Sequence, residues 1–110
     1  MLFRSESDIS MPTNQLGLPE TLTLRGDVFH VQGLDIDANF IYVTSVDKKS
    51  GRGFLHKFTL SGDLVGVADL TDGPHYHAGG ISLDGDSIWV PVAEYKSCRI
   101  FRFQRSPVAE

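Results

Sequence analysis

The chain contains a single cysteine, Cys98, so no disulfide can form within it. That fits a reducing compartment, and the expected location is cytoplasmic. It also lacks an excess of positive charge. Ten Lys and Arg stand against fourteen Asp and Glu, a net charge of −4. Phosphate backbones require a basic field, so nucleic acid is not an expected partner. No apolar run approaches membrane-spanning length, and the opening residues MLFRSESDIS lack the apolar core of a secretory signal. A membrane partner is therefore not expected either. No stretch carries apolar residues at the helical spacing of three and four. What remains is a chain of 110 residues, 41% hydrophobic, at most one domain and with a modest core if it stands alone.

What is present is β-structure. Residues 1–20 read as a polar arm containing Pro12, Gly17 and Pro19. Thr21-Leu22-Thr23-Leu24 then alternates polar and apolar side chains, as a short half-buried strand does. Strands follow at 29–36 and 40–46 (FIYVTSV), with Asp37-Ala38-Asn39 as the hairpin turn. A polar loop, KKSGRG, leads to strands at 54–60 and 64–70, separated by the turn Ser61-Gly62-Asp63. After the breaker Thr71-Asp72-Gly73-Pro74 come strands at 78–83, 87–93 and 99–104, the first two joined by Asp84-Gly85-Asp86. Residues 107–110 form a tail.

The second half repeats the first. His30, Gly33, Asp37, Ile41 and Val43 recur as His77, Gly80, Asp84, Ile88 and Val90 at a constant spacing of 47 residues. Tyr42 pairs with Trp89 and Asp47 with Glu94 at the same spacing. Beyond the following loop, Leu55 and Phe58 recur as Ile100 and Phe103 at a spacing of 45, so the second copy has a loop two residues shorter. An all-β unit with this period matches a β-propeller blade. The expected fold is thus all-β, a two-blade module over 21–106, with blades at about 29–70 and 78–104.

The first blade has four strands and the second only three, because Pro107 ends any further pairing. The spare strand Thr21–Leu24 precedes the first blade, where the outer strand of a preceding blade would lie. Two blades cannot close a ring, and each exposed face needs a neighbour. The chain is therefore expected to form a homo-oligomer in which the N-terminal strand of one chain completes the second blade of another. A cyclic homotrimer is the favoured closure. A fragment of a longer propeller is the other reading.

At HVQGLD, YVTSVD, YHAGGISLDG and WVPVAEY the sequence resembles a bacterial family of uncharacterised proteins related to strictosidine-synthase-like and NHL-type six-bladed propellers. The resemblance covers roughly residues 21–104. It implies a propeller fold and carries no activity. The chain departs from it by having Ala78 where a YHPGG-like motif has proline, and by ending after two blades.

In a propeller, first strands begin and second strands end on the same side of the disc. His30 and His77 open first strands, and Asp47 and Glu94 close second strands. These four, with Gln32 and Tyr95, are the candidate ligand-binding residues, and His75 and Tyr76 stand close by in sequence. Imidazole with carboxylate suits a small polar ligand. It also suits a divalent metal, the one cofactor considered, or a base oriented by an acid. The competing view gives His30 and His77 backbone partners and makes Asp47 and Glu94 turn caps. Trp89 and Tyr42 are expected to pack between blades. Lys48, Lys49 and Arg52 are expected to be solvated, and Cys98 has no activating neighbour. The leading function is a scaffold or small-ligand-binding module of unknown activity. The alternative is a metal-dependent hydrolase of the lactonase or esterase kind.

Overall fold

The computed structural model describes residues 16–94 and 96–105, so most of the N-terminal arm, Tyr95 and the tail at 107–110 lie outside the described residues. The described residues form two antiparallel sheets, neither of them closed. The first contains β1 (His30–Ile36), β2 (Phe40–Asp47), β3 (Arg52–Thr59) and β4 (Leu64–Asp69), side by side in chain order. The second contains β5 (His77–Ala78), β6 (Ser82–Asp84), β7 (Ser87–Glu94) and β8 (Ser97–Gln104). Both β5 and β6 pair with β7, and β8 pairs with the other edge of β7. The expected strand at 78–83 is therefore split. Gly79, Gly80 and Ile81 leave the ladder, and Gly79 instead donates its N–H to the Pro91 carbonyl at 2.9 Å.

The turns follow their sequence chemistry. The Asp37 carboxylate accepts the N–H groups of Asn39 and Phe40, each at 2.8 Å, and the Asp37 N–H donates to the Phe40 carbonyl. An aspartate that bonds the backbone two and three residues on builds a tight turn from its side chain. The loop between β2 and β3 has four residues and that between β7 and β8 has two, the difference that the repeat spacing implies.

One core lies between the sheets. Tyr42, Val46 and Leu55 of the first sheet meet Ile88, Val90 and Val92 of the second, with Leu70 and Ala78 closing the gap. Successive side chains on a strand point to opposite faces, so Ile41 and Val43 face away from the second sheet. They form a second cluster with Phe58, covered by Leu24, Val28 and Leu64. Both faces of β2 are thus buried, which accounts for its almost continuous apolar run. Backbones approach closely where β1 meets the segment that follows β5. A Cβ on Gly33 would stand 2.8 Å from the Gly80 Cα. A β-bulge between Val31 and Gly33 marks the same place, and the Thr44 hydroxyl donates across it to the Gly79 carbonyl at 2.7 Å.

Two segments lack the neighbours within this single chain that the repeat assigns them. Thr21–Leu24 forms no strand within the chain. Instead Arg25 makes an isolated parallel bridge to Asp63, donating its N–H to the Gly62 carbonyl at 2.8 Å. Its guanidinium holds the Asp63 carboxylate at 2.7 Å and the Ser61 carbonyl at 3.0 Å. The turn between β3 and β4 thereby fastens the end of the segment. Trp89, the repeat partner of Tyr42, does not pack between the sheets. Tyr42 is 1% exposed, whereas Trp89 is 38% exposed. The two occupy equivalent faces, but among the described residues no further sheet lies beyond the second one.

Candidate functional site

The candidate residues stand at one end of the two sheets, because antiparallel pairing sets the start of an inner strand beside the end of its neighbour. His30 lies opposite Val46, and His77 lies opposite Ala93. Asp47 and Glu94 close the paired strands, opposite Arg52 and Ser97. The sheets meet at this end through Gly53, where a Cβ would fall 2.2 Å from the Tyr76 carbonyl oxygen. Only glycine allows that contact.

Within this end His77 pairs with Glu94. His77 Nδ1 lies 3.2 Å from Glu94 Oε2, and the two side chains are 42% and 21% exposed. The Tyr76 ring stacks on the imidazole with centroids 4.4 Å apart. One residue further back, His75 hydrogen-bonds the Ser97 hydroxyl through Nε2 and meets the Asp72 carbonyl through Nδ1 at 3.2 Å. The Arg99 guanidinium reaches the Asp72 carboxylate at 3.1 Å. A histidine oriented by a carboxylate and stacked on an aromatic ring is set to accept, donate or shuttle a hydrogen bond at its free nitrogen.

The equivalent pair in the first sheet does not form. Asp47 turns into its own loop, accepting the Lys49 N–H at 3.2 Å and the Ser50 hydroxyl at 2.8 Å. The four-residue loop offers those donors, whereas the two-residue loop after Glu94 is too short to do so. Asp47 thus caps its own turn. His30 and Gln32 are exposed on β1, Gln32 within the bulge. Tyr95 lies outside the described residues. Among the described residues, no group of three or more His, Cys, Asp or Glu is gathered closely enough to hold a metal ion. Arg52 pairs with Asp69, so the basic loop is only partly free. Cys98 is exposed.

The opposite end carries a polar cluster that the sequence reading did not single out. A pocket of about 320 Å³ is lined by Asp37, Asn39, Phe40, Tyr42, Asp86 and Arg105. Arg105 reaches Asp37 at 3.3 Å and also donates to the Gly85 carbonyl, joining the end of β8 to both hairpin turns. The Tyr42 hydroxyl donates to the same Asp37 oxygen at 3.3 Å. Burial and the neighbouring Asp37 charge push the Tyr42 hydroxyl up to about 12, so it remains a donor. Burial acts to raise the Asp37 carboxyl. The amides of Asn39 and Phe40, the Tyr42 hydroxyl and the Arg105 charge outweigh it and hold the carboxyl below its ordinary value. The groups satisfy one another, which makes the cluster a brace between sheets. Only the recurrence of Asp37 as Asp84 hinted at it, and that recurrence reads first as turn chemistry.

A third polar feature lies on the face of the first sheet away from the second. His56 is 1% exposed, with Nε2 2.8 Å from the Ser45 hydroxyl. Its Nδ1 is buried without a hydrogen-bond partner. Burial lowers its pKa, so the ring is held neutral. Two apolar grooves also open on the described surface. One, of about 420 Å³, runs over the outer face of the second sheet past Ile81, Trp89, Pro91 and Ile100. The other, of about 150 Å³, lies between the sheets beside β8.

No helix among the described residues is long and apolar enough to cross a membrane. No curated protein and no solved structure matches the chain. A family model does match, over residues 14–109, nearly the whole sequence. On that extent of agreement the chain belongs to a family of unknown function, DUF6454.

Proposed function

We propose that this chain is a propeller-type scaffold module that assembles with copies of itself and offers the His77–Glu94 end of its sheets to a small polar ligand. One observation carries the reading: the two outer faces are the repeat counterparts of the two faces that already pack together. Tyr42 and Val46 meet the second sheet, and their counterparts on the far face of the second sheet are Trp89 and Ala93. Ile88 and Val90 meet the first sheet, and their counterparts are Ile41 and Val43. Leu24, Val28 and Leu64 already cover Ile41 and Val43, so the matching half on the first sheet is the apolar surface around that cover. Apolar side chains remain exposed on both halves: Val31, Leu34, Ile36 and Val67 on the first sheet, and Trp89 and Ile100 on the second. Head-to-tail contacts of this kind close into rings when the rotation permits, and three copies remain the favoured number.

Light scattering on the full chain tests the assembly. The expected result is a mass that is a multiple of the monomer, falling to the monomer in Trp89→Glu with the far-ultraviolet circular dichroism unchanged. A wild-type monomer at high concentration overturns it. In the assembled ring the His77–Glu94 pairs of all copies lie on one side. That placement suits a small polar ligand held between imidazole and carboxylate.

A further inference from the structure

The free edge of β8 and the groove beside it point to a missing strand. The repeat makes β8 the counterpart of β3, since Leu55 and Phe58 recur as Ile100 and Phe103. β3 carries β4 on its outer edge, whereas β8 has no partner on its own outer edge among the described residues. Where that partner would lie, the floor is unusually bare. Gly66 and Ala68 of β4 line the groove together with Leu55, Ile88 and Phe103. A Cβ on Gly66 would meet only the Lys57 Cβ, at 3.7 Å. An unpaired edge beside an apolar slot with small residues on its floor is built to receive an extended segment.

The same chain carries a segment of the matching chemistry. Leu16, Leu18, Leu22 and Leu24 recur at every second position, broken once by Glu20. In a strand this spacing puts all four on one face. Leu16 is 99%, Leu18 89% and Leu22 49% exposed, so most of that face is unused. Pro19 falls on the other alternation, and proline is tolerated on an outermost strand whose N–H faces solvent. The segment is not positioned for its own slot. Arg25 fastens it at the turn between β3 and β4, and Leu24 packs with Ile41, Val43 and Phe58. The slot opens on the opposite face of the same sheet, beside Tyr42 and Leu55.

We infer that residues 16–22 of one copy add as a strand to β8 of another, with Leu16, Leu18 and Leu22 entering the groove over Gly66 and Ala68. The inference rests on the head-to-tail assembly and names the element that completes it. Cys98, the single cysteine, is exposed on β8 and supplies the test. Leu22→Cys and Thr21→Cys are made separately in the full chain and oxidised gently. The expected product is a ladder or closed ring of disulfide-linked copies that is absent from wild type and from the same variants carrying Cys98→Ser. A disulfide within one chain, or no disulfide at all, overturns strand exchange. A companion variant, Leu18→Asp with Leu22→Asp, alters only exposed side chains. Its assembly is expected to dissociate at concentrations at least about tenfold higher than those at which wild type dissociates. If wild type assembles, no cross-link forms and this variant assembles equally well, strand exchange fails and the assembly stands. If wild type is itself a monomer, both fall together.

Discussion

At the scale of single residues, His56 is the group whose environment departs furthest from what its type requires. It is buried and neutral, and one ring nitrogen lacks a partner. In the unfolded chain the same imidazole takes up a proton as pH falls through about 6.5. Burial depresses its pKa in the folded state. Folding therefore has a stability component that is intact above the unfolded pKa and is lost progressively as pH falls from about 6.5 towards the lower folded value. Urea unfolding between pH 7 and pH 5 should show wild type losing stability more steeply than His56→Phe, by up to about 1.4 kcal/mol per pH unit. Equal slopes for the two proteins would show that the ring is not held neutral. His77 invites a different experiment, since its exposure and its contact with Glu94 leave one nitrogen for a ligand. Its ring resonances should move on addition of millimolar Zn²⁺ or citrate, and less so in Glu94→Gln. No movement with either probe counts against the polar-ligand role.

At the scale of elements, the meeting of β1 with the start of the second sheet is a joint where two backbones come together. Gly33 approaches Gly80 backbone to backbone, whereas a Cβ built on Gly80 meets nothing within 4 Å. Gly33→Ala is expected to push the sheets apart and cost about 1–3 kcal/mol. Gly80→Ala should be close to neutral, and denaturant unfolding of the two distinguishes joint from loop. Comparable losses in both would show that the close approach is not what selects glycine. Most strands were legible because the alternation of FIYVTSV and its like, bounded by Asp, Asn and Gly, is local chemistry. The split of the expected strand at 78–83 was not legible. It arises because Gly79 turns its N–H to Pro91 and its carbonyl to Thr44, and Thr44 is far away in sequence. The Asp37–Arg105 brace was hidden for the same reason, its partners standing 68 positions apart.

At the scale of the whole molecule, two sheets share one face with each other and leave apolar side chains exposed on both outer faces. If those faces meet in a ring, stability depends on protein concentration, since binding to the folded form draws the unfolding equilibrium towards it. The melting temperature of wild type should then rise with concentration, while that of Trp89→Glu should not. This is the calorimetric counterpart of the mass measurement proposed above.

The sequence by itself determined the all-β composition, the turns, the repeat and the unequal loops, because each depends on side chains within a few positions or on the simple recurrence of a pattern. It also placed His77 and Glu94 at one strand end, since antiparallel pairing carries that information. Tertiary structure alone decided that these two meet while Asp47 caps its loop, that Trp89 faces outward while Tyr42 is buried, and that Arg25 fastens the N-terminal segment to Asp63. Those outcomes depend on which surfaces are opposed and which donors come within about 3 Å. Alternation along a strand says which residues share a face, but not what stands across from it.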